Sequence, residues 1–317
     1  MLRLLMVGAG GIGGYYAARL LDAGHQVVLT ARGEHLTALR ENGLTVRYDG
    51  SDLVHRPEVS DHQQLIARFH PDDFDVIVLA LKATATASVV EELGDWLAQG
   101  RVPVLSLQNG VDNEPLLADA IGAGRVIGGL AVRIGGHIVR PGVIEAEGVA
   151  QIVMGEWPAA ERTACPHQQL LETLVSEFNA AGIPTTLSDR IRHELWRKLV
   201  INNGVNPLSA LTGLDTRSLT HHPEFSRIVY GMMAETVAAS RADGVNLGQS
   251  DLDDMFELIS SFNAIKTSML VDKEKGRPLE LDSIAGAVLR RCRDLGIEAP
   301  YTSTVTALLA IEAEKPG

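Results

Sequence analysis

Lys198, Asn202 and Asn206 stand four residues apart in HELWRKLVINNGVNPL, residues 193–208. On the same stretch Ile191, Leu195 and Leu199 form an i, i+4, i+8 apolar row, the core-facing signal of a helix. The polar three make a second row about 60° round the same cylinder, at the edge of whatever the helix buries. One ammonium and two amides on one strip could protonate a ketone oxygen as it is reduced and hydrogen-bond a neighbouring carboxylate or hydroxyl. Two plainer readings fit as well: a Lys near a helix end snorkels to water, and Asn residues before Pro207 cap a helix terminus.

A second chemical signal opens the chain. In VGAGGIGG, residues 7–14, the turn Gly8-Ala9-Gly10-Gly11-Ile12-Gly13 has the G-x-G-x-x-G pattern directly after an apolar run and before a helical one. Such a turn needs Gly at its first position to bend tightly, at its second for close approach of a pyrophosphate, and at its third for helix packing. A purely structural glycine turn is the alternative; the strand–turn–helix context favours a dinucleotide. The next apolar run ends VVLTARG, with Thr30 and Arg32 where NAD sites place a carboxylate for the ribose 2′-hydroxyl. A guanidinium there suits a 2′-phosphate, which points to NADP(H), unless Arg32 is an ordinary surface side chain.

In an open parallel sheet the ligand lies beyond the carboxyl ends of the strands. Lys82 follows VIVLAL and Asn109 follows VLSLQ, so both fall at that edge, though either residue also suits the start of a turn. Farther on, TSMLVDKEKGRPLELDS offers Ser268 and Glu280. A carboxylate near Lys198 would keep it protonated and oriented; Glu280 serves equally well as a charge at a helix N-terminus.

These residues need a scaffold. Short apolar runs alternate with helical patterns through LRLLMV, QVVLT, FDVIVLAL and VPVLSL, which predicts a parallel sheet with helices on both faces. From about Arg125 the pattern turns β-rich, with Gly135-Gly136 and Pro141-Gly142 as turn signals, followed by a helix at about 160–181 and a short strand at IPTTL. Beyond residue 187 nearly everything reads helical, including residues 223–244, a run from about Leu252 to Asp272, and 281–296. The expectation is an α/β chain: residues 1–187 a nucleotide-binding domain and 188–317 an all-helical domain for substrate and dimerisation. The apolar IVYGMMAETVAA is either a homodimer face or ordinary core.

A formal net charge of −12 argues against nucleic acid or an anionic membrane as partner. Cys165 and Cys292 fit neither a zinc spacing nor a disulfide framework, so no metal is expected and both read as free thiols in a reducing cytoplasm. No apolar stretch approaches the roughly 20 residues that span a bilayer.

Taken together, Gly8-x-Gly10-x-x-Gly13, Arg32-Gly33, Leu81-Lys82-Ala83, Gln108-Asn109-Gly110, Trp196-x-Lys198-Leu199 with Asn202 and Asn206-Pro207-Leu208, and Ser268-Met269 ahead of Glu280 resemble the ketopantoate reductase family, from residue 1 to about 300. The resemblance implies a Rossmann-type N-terminal domain, a helical C-terminal domain, an active site in the cleft between them, and NADPH-dependent reduction of 2-dehydropantoate to (R)-pantoate on the way to pantothenate and coenzyme A. It implies Lys198 as proton donor and Asn202, Asn206 and Ser268 as substrate ligands. Asn109 would lie where cofactor and substrate meet, Lys82 and Glu280 would contact the cofactor or the Lys198 network, and Arg32 would hold the 2′-phosphate. The family often has Ser-Ser before Met, where this chain has Thr267-Ser268, and some members carry a further Asn in the region that reads GLDTRS here. One rival reading keeps the same residues for another small-molecule 2-oxo acid or for the oxidative direction. The other, an NADP(H)-sensing regulator without turnover, predicts no proton donor opposite the nicotinamide, and the Lys198 and Glu280 pair argues against it.

Overall fold

RLLMV and QVVLT are buried at all but their first positions. That is the demand on a central parallel strand covered on both faces. The computed structural model describes residues 1–158 and 167–313. Two compact units divide the chain: Met1–Gln108 with Asn113–Ile191, and Asn109–Asp112 with Arg192–Gly317.

The first unit runs β1 (Arg3–Val7), α1 (Gly11–Asp22), β2 (Gln26–Thr30), α2 (Gly33–Asn42), β3 (Leu44–Tyr48), β4 (Ser51–His55), β5 (Glu58–Ser60), α3 (His62–Arg68), β6 (Val76–Leu79), α4 (Thr86–Ala98), β7 (Val104–Ser106), α5 (Asn113–Ile121), β8 (Val126–Arg140), β9 (Val143–Glu156), α6 (Gln168–Ala180) and β10 (Thr185–Leu187). Strands β5-β2-β1-β6-β7-β8 lie side by side and all pair in parallel. This is the doubly wound Rossmann-like order, with its switch point between β1 and β6. Alternation along the strands feeds two cores. Leu4, Met6, Val27 and Leu29 pack with Tyr15, Tyr16 and Leu20 of α1, while Leu5, Val7, Ile77 and Leu79 pack with Val89, Leu93 and Trp96 of α4.

Beyond β8 the sheet becomes mixed. β9 pairs antiparallel with β8, β3 and β10 run parallel to β9, and β4 turns back on β3. The turn joining β8 and β9 is at Pro141-Gly142, where Gly142 has φ +80°. Gly135 and Gly136, expected to mark a turn, lie inside β8 instead. Their role is close approach: a Cβ on Gly136 would stand 2.8 Å from the Gly11 carbonyl oxygen, and one on Gly11 would stand 2.0 Å from that of Gly136. Strands β3 to β5 and helix α3 had no clear signal, because they are short and half exposed. The helix expected from about 160 begins, within the described residues, at Gln168; residues 159–166, and Cys165 with them, lie outside those residues.

The second unit is helical: α7 (Ile191–Thr212, Ile191 itself grouping with the first unit), α8 (Thr216–His221), α9 (Pro223–Ala239), α10 (Gln249–Ser260), α11 (Ser268–Glu274), a π-helical turn Asp282–Gly286 leading into α12 (Ala287–Asp294), and α13 (Pro300–Ala313). Two expectations change here. α7 passes through Pro207 and ends at Thr212, so Asn202 and Asn206 do not cap a terminus before the proline. The run from Leu252 to Asp272 is two helices, since Thr267 accepts from Leu270 N–H (3.2 Å) and starts α11 afresh. In the apolar stretch of α9, Val229, Met232 and Met233 are fully buried within the single chain, as its reading as core requires.

Buried polar groups fasten these helices. Asn203 donates to the hydroxyls of Thr236 and Thr302, each at 3.0 Å, tying α7 to α9 and α13. Glu235 accepts from the backbone N–H groups of Tyr301 and Thr302, both at 2.8 Å, and so places a carboxylate on the N-terminus of α13.

Candidate functional site

Gly8 sits at φ +106°, a conformation that only glycine adopts cheaply, and its N–H donates to the Thr30 hydroxyl at 3.0 Å. Ala9 N–H donates to the Thr30 carbonyl at 2.9 Å. Thr30 at the end of β2 thus clamps the turn from below. A Cβ on Gly13 would meet the Gly8 carbonyl oxygen at 2.1 Å, so α1 can approach the turn only through glycine. A Cβ on Gly10, by contrast, would meet nothing within 4 Å. That open space lies over the first turn of α1, whose N–H donors have no intrahelical acceptor and whose cap, Gly10, has no side chain to occupy them. The cradle fits the pyrophosphate of a dinucleotide.

The space continues into a cleft of about 250 Å³ lined by Gly8, Gly10, Arg32, His35, His62 and Leu81 among others. His35 is fixed from both ring nitrogens: Nδ1 accepts from Gly142 N–H at 3.1 Å, so Nε2 carries the proton and donates to the Ala9 carbonyl at 2.8 Å. Burial lowers its pKa, which agrees with a neutral ring. His35 therefore steadies the glycine turn from α2. Arg32 lies at the cleft mouth with its Nη2 donating to both oxygens of Glu92, at 2.7 and 2.9 Å. His62 Nδ1 is 2.6 Å from Glu92 Oε2. Its hydrogen bond, with help from the Arg32 charge and against partial burial, holds the Glu92 carboxyl below the usual range. The proton on that ring nitrogen points at the carboxylate, so the 3.2 Å approach of Arg32 Nη2 to the same nitrogen is contact between two donors.

Lys82 follows β6 at the start of a 3₁₀ turn, Ala83–Ala85. Its carbonyl accepts from Gln108 Nε2 at 3.3 Å, which also donates to the Thr86 hydroxyl at 2.8 Å; Thr86 in turn donates to Asn113 Oδ1 at 2.7 Å. This buried chain fixes the segment that carries Lys82.

In the second unit, Asn109 donates to Glu280 Oε2 at 3.2 Å. Glu280 is 6% exposed and immediately precedes the helical segment that contains the π turn. Such turns are frequent at functional sites because they open a gap in the helical ladder. Gly110 (φ +94°) lies against that turn, where a Cβ would come within 2.9 Å of the Ser283 carbonyl oxygen. Asp112 then accepts from Arg290 and Arg291, at 2.9 and 2.7 Å. The loop Asn109–Asp112 is thereby pinned on the segment that carries Glu280. On α7, Lys198 and Asn202 are half-buried and Asn206 is buried, which matches a strip at the edge of the core face. Ser268, the first residue of α11, is exposed; the capping is done by Thr267, which leaves the Ser268 hydroxyl for other work.

The structure thus brings Asn109 to Glu280 and gathers Gly8, Gly10 and Arg32 round one cleft. His35, His62, Glu92 and Thr86 were not singled out by the sequence reading. A histidine on a short helix and a glutamate one turn beyond Val89 on α4 carry no local mark of a ligand cleft; only strand order brings them there.

Comparison with known proteins completes the picture. The family described as ketopantoate reductase PanE/ApbA matches residues 4–159, and ketopantoate reductase PanE/ApbA C terminal matches residues 190–312. A protein of Mesorhizobium japonicum named 2-dehydropantoate 2-reductase is 31% identical, with 98% of this chain and 96% of that protein covered. One of the same name from Halobacterium salinarum is 29% identical over 100% of both chains. The crystal structure of 2-dehydropantoate 2-reductase from Geobacter metallireducens GS-15 superposes with a TM-score of 0.84 at 30% identity, covering 98% of this chain and 100% of that one. On this end-to-end agreement in sequence and fold, the chain belongs to the ketopantoate reductase family of oxidoreductases.

Proposed function

We propose that the protein reduces 2-dehydropantoate to (R)-pantoate with NADPH, the step that leads towards pantothenate. The observation that carries this reading is the full-length similarity to proteins named 2-dehydropantoate 2-reductase. The glycine cradle supports it, since it offers backbone donors to a pyrophosphate, and so does Arg32, a planar donor suited to a 2′-phosphate.

When bound, the reduced nicotinamide supplies the hydride that the substrate C2 receives. The chain's own residues do the rest. Lys198 donates a proton to the oxygen of the former carbonyl, which becomes the hydroxyl of pantoate, and the resulting amine is reprotonated from solvent. Asn202, Asn206 and Ser268 hydrogen-bond the substrate's carboxylate and hydroxyl and fix the face presented for reduction. Asn109, oriented by Glu280, contacts substrate and cofactor together. Glu280 and Lys82 supply opposite charges that orient the cofactor and the proton donor.

The test is NADPH oxidation by the purified protein against a panel of 2-oxo acids, with product chirality determined. The expected outcome is the highest kcat/KM with 2-dehydropantoate and an R product. A higher kcat/KM with another 2-oxo acid would transfer the same chemistry to that substrate, and absence of turnover with every acid would overturn the enzymatic reading.

A further inference from the structure

The guanidinium assigned to the 2′-phosphate is not held in reserve. Its Nη2 is shared between both oxygens of Glu92, and Oε2 of that carboxylate also accepts from His62 Nδ1 at 2.6 Å. Glu92 projects from α4 one turn beyond Val89, a residue that lines the nucleotide cleft, as Arg32 and His62 also do. A phosphate dianion that accepts from Arg32 would therefore stand within roughly one guanidinium width of a carboxylate, and that carboxylate is kept ionised by its two partners.

We infer that Glu92 is a specificity-determining residue for the cofactor: by taking up the Arg32 charge it limits the preference for a 2′-phosphorylated nucleotide over the unphosphorylated one. The inference rests on the assignment of Arg32 to the 2′-phosphate. Glu92 does not touch the phosphate; it acts through Arg32 and through its own field. Its side chain is 41% exposed and that of Arg32 is 60% exposed, so the effect is the modest, salt-sensitive one of a charge near water. His62, with its side chain 8% exposed, anchors the carboxylate and prevents it from swinging into solvent as a phosphate arrives.

Equilibrium binding separates the parts. Adenosine 2′,5′-bisphosphate and adenosine 5′-monophosphate are titrated calorimetrically into the wild-type full chain and into Glu92→Gln, Glu92→Ala and Arg32→Gln. Both Glu92 variants are expected to bind the bisphosphate more tightly by about threefold at low salt, with the monophosphate unchanged and the gain shrinking as salt is raised. A carboxylate that merely holds Arg32 in place would give the opposite sign, and unchanged or weakened bisphosphate binding in Glu92→Gln, with Arg32→Gln still losing affinity, overturns the proposal alone. If Arg32→Gln keeps wild-type affinity for the bisphosphate, the Arg32 assignment itself falls, and this inference falls with it.

Discussion

The glycine turn of the first unit and the polar strip of α7 in the second present opposite kinds of chemical group. At the turn, the working groups are backbone N–H donors, and the side chains that matter are the ones that are missing: Gly10 leaves open space and Gly13 avoids the Gly8 carbonyl. On α7 the helix occupies the backbone groups alongside Lys198, Asn202 and Asn206, so these three residues can offer a ligand only their side chains. A site made by backbone tolerates few changes of shape and many of charge; a site made by side chains behaves the other way round. Each kind of site therefore fails under a different kind of mutation.

Shape at the turn comes first. Gly13→Val drives a Cβ onto a backbone oxygen that cannot move away, so NADP binding is expected to weaken by about 100-fold or more, read by calorimetry. Retained affinity would mean that α1 can withdraw from the turn, and the close-packing argument would be lost. Next is the support beneath the α7 strip. Asn203→Ala leaves the Thr236 and Thr302 hydroxyls without their shared donor and opens a small cavity, with an expected loss of about 2 kcal/mol in urea unfolding. Glu235→Ala, which strips two N–H groups of α13 of their acceptor, is expected to cost about 1 kcal/mol by the same measurement.

The smallest effect concerns Cys292. Burial, reinforced by Glu235, raises its thiol pKa to about 11. The thiol stays protonated through the neutral range, and the linkage follows: between the unfolded value of about 9 and the folded value, the unfolded state loses its proton first, so this group makes stability fall as pH rises. In a Cys165→Ser background, Cys292 is expected to react with an aromatic disulfide reagent far more slowly in the native protein than in denaturant, with no change in oxidoreductase activity. Rapid native labelling would show that α12 opens readily.

Much of this was readable from residue types alone. The parallel sheet announced itself because central strands are apolar at nearly every position, and the turn after β1 because three glycines are needed there for three separate reasons. Lys198, Asn202 and Asn206 share a helical strip by arithmetic, whatever they later touch. Other features had no local signature. Gly135-Gly136 looks like a turn, yet serves close contact with Gly11, a residue more than a hundred positions earlier. His62, Glu92 and Arg32 come together only after β5, β2 and α4 have taken their places, and a helix that runs through Pro207 gives no warning in its sequence that packing outweighs the lost hydrogen bond.

The proton donor is the element on which the functional account turns. The direct measurement is kcat for NADPH oxidation with 2-dehydropantoate in Lys198→Ala, with calorimetric NADP affinity followed in parallel. The account predicts a fall in kcat on the order of 10² to 10⁴ with nucleotide affinity near wild type. Turnover close to wild type in that variant would contradict it.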